Sequence, residues 1–369
     1  MRPISPRRAF LQSAAALGAG VILPRAAQAA APTTVGIVYV GPKNDFGYNQ
    51  AHAEGIAALK KTPGLKILEE ENVPETSAVV QTMESMINLD GASLLFLTSF
   101  GYFDPYMLQV AAKYPKVEFR HQGLLWDPAK NPANTGSYFG YISEAIYASG
   151  VAAGMATKSK KLGFIAAKPI PAVLRSVNSF TLGARSVDPS ITVQLIVTGG
   201  WSLPTKEAEA TNSLADHGCD VIACHIDDLK VVLQTADQRG IHSCGLNCDQ
   251  SALAPKGYLT GALYAWDKPY GMMVGDVMSG KKVPNLLRGG FAEGFVKMGP
   301  FGKSATPAVR EATTKAAAEL ASGKIATFTG PLKDNAGKTI IPAGQKLAVT
   351  DPSLASMNYL VEGVQGSLS

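Results

Sequence analysis

Long apolar runs are missing from this 369-residue chain. The run near the N-terminus, Ser13 to Leu23, is about half the roughly 20 residues a membrane-spanning helix needs, and Gly18 and Gly20 dilute it further. An uncleaved anchor is therefore disfavoured. Cysteine is scarce, with four residues in all and none close to the N-terminus, so lipid attachment at a processed N-terminus is excluded. The nucleophile pattern G-x-S-x-G, the metal pattern H-E-x-x-H and glycine-rich phosphate loops are absent as well, which removes the common hydrolase and nucleotide-binding signatures. There is no internal repeat and no low-complexity segment.

The N-terminal thirty residues carry instead the form of an export signal. Arg7 and Arg8 precede the short apolar run, and Ala27-Gln28-Ala29 supplies a small-x-small cleavage pattern. This is the form of a twin-arginine signal, with Ala30 expected as the first mature residue and the periplasm as destination. Residues 1–29 hold Arg2, Arg7, Arg8 and Arg25 and no acid, so the remainder has a formal charge of +1 against +5 for the whole chain. A mature chain so nearly neutral is neither a trap for nucleic acid nor a polybasic membrane patch. Its length and 46% hydrophobic content predict two domains.

From Thr33 onward, β-branched apolar runs alternate with helical patterns, the mark of βαβ units and parallel sheets. Strands are expected at Val35 to Val40, Lys66 to Val73, Leu94 to Ser99 and Val117 to Gly123. A looser stretch, Leu124 to Gly136, is read as a hinge crossing. A second series begins with a helix from Tyr138 to about Lys158. Its strands follow at Leu162 to Ala167, Thr192 to Thr198, Val221 to His225 and His242 to Asn247. By analogy with bilobed receptors, Leu259 to Ala265 is expected to return to the first half, and the chain to cross again near Gly289 to Gly299. The N-terminal lobe is thus 33–124 plus about 256–288, and the C-terminal lobe 137–248 plus about 289–369. Two doubly wound α/β halves result, with a hairpin expected around Asp334 to Gly337.

Ligands of open parallel sheets bind outside the carboxyl ends of the strands, so the strand-to-helix loops are the informative segments. Asp45 is placed to cap a helix and is followed by Phe46, Tyr48 and Asn49; Ser99, Phe100 and Gly101 follow the third strand. The second half offers Trp201, Asp227 with Asp228, and Asp249. Turn chemistry prefers small polar residues, whereas Tyr48 and Trp201 each bring a large apolar face. Either each ring plugs the gap between its loop and neighbouring helices, or the two sandwich a flat ring across a cleft. In the second case Asn49, Ser99 and Asp249 would read its polar edge.

The chain resembles the basic membrane protein family of ABC-transporter substrate-binding proteins, which includes purine-nucleoside and adenine receptors. The matching segments are Asp45-Phe-Gly-Tyr-Asn, Thr98-Ser-Phe-Gly-Tyr, Pro169-Ile-Pro-Ala-Val, Leu182-Gly-Ala-Arg-Ser-Val-Asp-Pro, Gly200-Trp-Ser-Leu-Pro-Thr-Lys-Glu-Ala, Gly218-Cys-Asp-Val-Ile and Phe328-Thr-Gly-Pro-Leu-Lys-Asp. They cover nearly the whole mature chain in order. The resemblance implies a type I periplasmic binding protein fold with a multi-crossover hinge, and a monomer that serves an ABC permease and ATPase. It also implies a purine-like ligand; no cofactor and no metal are expected. It places stacking aromatics at Tyr48 and Trp201, a polar residue beside the base at Asn49 and a ligand-holding acid at Asp249. The site expected is Asp45, Phe46, Tyr48, Asn49, Ser99, Phe100, Gly101, Trp201, Asp227, Asp249 and Trp266. Leu203, Tyr141 and Tyr264-Ala265-Trp266 depart from the adenine-type pattern.

Three rival readings stand beside this one. Cys219, Cys224, Cys244 and Cys248 with His217, His225 and His242 invite zinc, but the spacings fit no usual framework, and Cys224 and Cys244 fall in apolar strands. A purine-processing hydrolase needs a base in reach of paired acids, and the adjacent Asp227 and Asp228 rarely point at one bond. A sensor subunit would use the same closing cleft for a signalling partner.

Overall fold

The computed structural model describes residues 32–368, so the twin-arginine segment and its cleavage site lie outside the described residues. In chain order the strands are β1 (Thr33–Val38), β2 (Leu65–Glu70), β3 (Leu94–Leu97), β4 (Glu118–Gln122), β5 (Thr135–Gly140), β6 (Lys161–Ala166) and β7 (Thr192–Val197). There follow β8 (Val221–His225), β9 (His242–Asn247), β10 (Tyr258–Tyr264), β11 (Leu286–Gly289), β12 (Val296–Met298), β13 (Leu332–Lys333), β14 (Thr339–Ile341) and β15 (Val364–Gln365). One sheet runs β11-β5-β4-β3-β1-β2, the other β12-β10-β9-β8-β6-β7-β15. In the first every pair is parallel. The second is parallel but for the antiparallel edge pair β10–β12.

Alternation along the first sheet's strands explains its two-sided cover. Val35, Ile37, Leu94 and Phe96 pack into one apolar cluster with the helices Tyr48–Ala57 and Asp267–Met278. Val38, Leu95, Leu97 and Phe119 face another, shared with the helix Ala78–Asn88. Successive side chains of a strand point to opposite faces, so a sheet buried on both sides reads as a continuous apolar run, as in Leu94-Leu-Phe-Leu. The second lobe has one large core joining its sheet to the helices Ser143–Ala156 and Pro171–Val187. The helices Pro171–Val187, Pro204–Asp216 and Pro307–Ala321 each begin on proline, whose fixed φ suits the first turn.

Two boundary expectations are corrected. Thr135–Gly140 is a strand and pairs with β4, so the chain leaves the first lobe at Gly140 to Ser143 and not at Leu124 to Gly136. The β10 segment stays in the second sheet, parallel to β9, instead of returning to the first; the return begins at Trp266 and the helix Asp267–Met278. Crossings therefore lie at Gly140 to Ser143, Tyr264 to Trp266 and Gly289 to Val296. They are cross-tied by Tyr141 N donating to Gly289 O at 2.8 Å and Ala265 N to Phe295 O at 2.9 Å. At Gly140 a Cβ would lie 2.8 Å from the Tyr264 ring, so the absence of a side chain lets the crossings pack. The β13–β14 hairpin forms where expected, its turn held by Asp334 Oδ1 accepting from Lys338 N at 2.8 Å.

Candidate functional site

Between the carboxyl ends of the two sheets lies a cavity of about 650 Å³. Strand-to-helix loops of both lobes, the hinge crossings and Leu354 and Ala355 of the C-terminal segment line it. Its walls are mainly apolar, and Phe100, Leu125 and Ile170 expose 62%, 38% and 36% of their surface along it.

The first-lobe wall is built on a tied loop. Asp45 Oδ1 accepts from Gly47 N and Gln50 N at 2.9 Å each, and Oδ2 accepts from Asn49 N at 2.9 Å and Asn49 Nδ2 at 2.8 Å. That carboxylate satisfies the open N–H groups at the start of the helix Tyr48–Ala57. Tyr48 is the residue presented. Its hydroxyl donates to the Thr98 carbonyl and lies 2.9 Å from Gln122 Oε1. Below it, Ser99 Oγ donates to Glu75 Oε1 at 2.5 Å, which also accepts from Gly101 N at 2.7 Å.

The second-lobe wall carries Arg175, Ser176, Trp201, His225, Asp227 and Asn247. The Trp201 ring packs against the lobe core and lies 6.3 Å from the His225 ring. His225 Nδ1 meets Ser176 Oγ at 2.8 Å, and burial lowers the imidazole to about 4, so it is neutral at ordinary pH. Burial, reinforced by the charges of Asp45, Glu75, Glu207 and Asp228, pushes the Asp227 carboxyl up to about 8. Neither that carboxyl nor the Asn247 carboxamide makes a hydrogen bond to protein among the described residues. Burial also lowers Arg175, to about 10.

Opposite the hinge the two lobes touch through backbone. Gly47 and Asp228 form an antiparallel bridge, and Tyr48 N donates to the Asp227 carbonyl at 3.1 Å. Gln250 Nε2 donates across to Phe46 O at 2.8 Å. This clasp leaves no room for a side chain: a Cβ on Gly47 would lie 1.6 Å from the Asp227 carbonyl oxygen.

Of the residues expected from sequence, Tyr48, Ser99, Phe100, Gly101, Trp201 and Asp227 line this one cavity. The others stand elsewhere. Asp45 and Asn49 are spent on the helix start, with Asn49 Oδ1 also accepting from Gly41 N at 3.2 Å. Phe46 lies beneath the Lys230 ammonium, 5.7 Å from its ring centroid. Asp249 is exposed and caps Ser251 N at 2.9 Å. Trp266 is core, stacked between His52 at 4.7 Å and Tyr264 at 4.4 Å. Sequence reading missed Gln122, Tyr141, Arg175, His225 and Asn247 as wall residues; the available signals were that Tyr141 departs from the adenine-type pattern and that His225 and Asn247 end strands.

The four cysteines are buried and unpaired. Burial raises Cys219 to about 11 and Cys244 to about 12, the behaviour of small apolar residues. Among the described residues no cluster of three or more His, Cys, Asp or Glu could hold a metal, and no helix is long and apolar enough to cross a membrane.

Comparison with known proteins places these features. A family model described as ABC transporter substrate-binding protein, PnrA-like, matches residues 32–335. A purine-binding protein of Brucella abortus (strain 2308) is 34% identical over 352 residues, which cover 95% of this chain and 98% of the relative. A putative ABC transporter glucose-binding protein of Haloferax volcanii is 28% identical over 331 residues, covering 90% and 80%. The solved structure of an ABC transporter solute-binding protein from Conexibacter woesei shares the fold with a TM-score of 0.68 at 19% identity, covering 79% of this chain and 97% of that one.

Proposed function

We propose that this chain, which belongs to the Bmp family of PnrA-like ABC transporter substrate-binding proteins, binds a purine base or nucleoside between its two lobes. It has the type I periplasmic binding protein fold, and as a member of this family it is a binding protein and not an enzyme. It works outside the cytoplasmic membrane and delivers its ligand to an ABC permease. Export through the Arg7-Arg8 signal and action as a monomer complete the reading.

One observation carries the ligand class. Tyr48 from one lobe and Trp201 from the other line a single, largely apolar cavity of about 650 Å³, within the 300–1,000 Å³ range of ligand pockets. A flat heterocycle fills such a slot by stacking, with Phe100 covering its open side. Asp227 and Asn247 then meet its polar edge. Asp45, Phe46 and Asn49 act by fixing the loop that carries Tyr48, and Trp266 by packing under the hinge. The purine-binding Brucella relative supports the same class. A sugar is the second reading, favoured by the Haloferax relative; against it stand the apolar walls, since a sugar's many hydroxyls each need a partner.

Thermal shift tests the choice. Protein unfolded and refolded to strip carried-over ligand should be stabilised by a purine base or nucleoside and not by glucose. Ligand at about 100 times its dissociation constant adds about 2.7 kcal/mol. Stabilisation by glucose alone would transfer the site to the sugar reading.

A further inference from the structure

Polar groups without a protein partner are spread unevenly along the cavity. At the hinge end stands Arg175, on the second turn of the helix Pro171–Val187 and 7% exposed. Its guanidinium carbon lies 5.1 Å from the centroid of the Tyr141 ring. One terminal nitrogen donates to the Val349 carbonyl at 2.8 Å, while Nε is buried with no hydrogen-bond partner. The arginines in ion pairs among the described residues are Arg120, Arg185 and Arg239, and not Arg175. The Glu144 carboxylate acts on this guanidinium without an ion pair or hydrogen bond to it, so a buried cation, costly unless oxygen acceptors surround it, has one protein carbonyl as its acceptor among the described residues. At the clasp end Asp227 shows the opposite character, an acid among acids. The cavity thus has a donor-rich hinge end and an acidic clasp end, with apolar and aromatic walls between.

We propose that Arg175 reads an oxygen-bearing edge of the ligand, so that the cleft prefers oxopurines to aminopurines. This rests on the purine reading of the site. The chemistry is that of edge recognition. A guanidinium fork pairs with the O6 and N7 acceptors of a 6-oxopurine, whereas adenine presents N7 beside an N6–H₂ donor, which a guanidinium cannot accept. The same fork suits a neutral ring carbonyl or a ring oxyanion. The Tyr141 ring beneath the guanidinium carbon and the Val349 carbonyl hold the head group in place, so Arg175 meets the ligand preoriented.

Calorimetric titration of the refolded protein with hypoxanthine, xanthine, urate and adenine tests this. In mildly acidic buffer hypoxanthine and xanthine are neutral oxopurines and urate is an anionic one, so their order there separates carbonyl from oxyanion recognition. At least one of the three should bind roughly tenfold to a hundredfold more tightly than adenine, the span expected of one bidentate contact. Arg175→Met should abolish that preference while changing adenine binding less than about threefold; lost packing alone would weaken all four equally. Adenine binding as tightly as every oxopurine overturns the inference and leaves the purine reading standing, and this comparison needs only the wild-type protein should Arg175→Met fail to fold. Equal weakening of all four in Arg175→Met also overturns it. Binding by none of the four removes the inference together with the purine-base reading, a result that nucleoside titrations then distinguish from loss of the whole class.

Discussion

The two walls of the cleft are built on different principles. On the first-lobe wall the polar groups satisfy one another: Asp45 takes up the N–H groups of a helix start, Ser99 and Gly101 share Glu75, and the Tyr48 hydroxyl is held by Thr98 and Gln122. On the second-lobe wall the Asp227 carboxyl and Asn247 carboxamide make no hydrogen bond to protein among the described residues, and Arg175 keeps an unmatched Nε. The first wall is a finished platform with fixed rotamers. The second turns its polar groups towards the cavity. Groups already engaged cannot pair with a ligand without giving up a partner, so on the proposed function the second wall reads the ligand and the first positions it.

The largest expected effect breaks the meeting of the walls themselves. Gly47→Ala places a methyl 1.6 Å from the Asp227 carbonyl in the closed arrangement, while each lobe keeps its own core. Affinity should fall roughly hundredfold, because a binding-competent state populated at about 1% lowers apparent affinity by that fraction. Small-angle scattering should show a radius of gyration that no longer contracts on adding ligand. Contraction equal to that of the wild type would mean the clasp is not needed.

Next come the rings. Trp201→Ala and Tyr48→Ala should each weaken binding tenfold to a hundredfold, since one aromatic stack on a base is worth about 1–3 kcal/mol. Tyr48→Phe sharpens the contrast: it removes a hydroxyl already engaged within the platform and keeps the ring, so affinity measured by titration should drop by less than about fivefold.

A smaller effect concerns stability against pH. An ordinary aspartate titrates near 4, whereas Asp227 is raised to about 8. Between those values the unfolded chain has released this proton and the folded chain has not, so the group destabilises the empty fold progressively as pH rises through that window. Asp227→Asn should therefore melt above the wild type at pH 8, with the gap closing towards pH 4. Histidines lowered by burial, such as His225 at about 4, destabilise both variants alike below about 6.5. A gap independent of pH would show that Asp227 is not raised. The smallest effect is at Asp249, exposed and turned to Ser251: Asp249→Asn should leave the order of purine affinities unchanged.

Much of this arrangement was legible in the residues. β-branched runs separated by helical patterns announced both parallel sheets, and Tyr48 and Trp201 stood out because a turn has no use for a large ring. What escaped was partner choice. The β10 segment is buried along almost its whole length, and a run buried on both faces fits either sheet equally well; only pairing with β9 decides. Thr135-Gly-Ser-Tyr-Phe-Gly has too few branched residues to read as a strand, yet it is held by β4 on one side and β11 on the other. The same limit shaped the site. Arg175 looks like any arginine on a helix until Tyr141 and Val349 arrive from distant parts of the chain. Asp249 was expected at the ligand because it follows a strand, but its nearest open N–H group was two residues away.

The most direct test is a crystal structure of the refolded protein grown with hypoxanthine. The account predicts one molecule in the cleft, its ring between Tyr48 and Trp201 and its carbonyl edge towards Arg175, with Gly47 against Asp227. A purine bound outside this cavity, or inside it without contact to either ring, would contradict it.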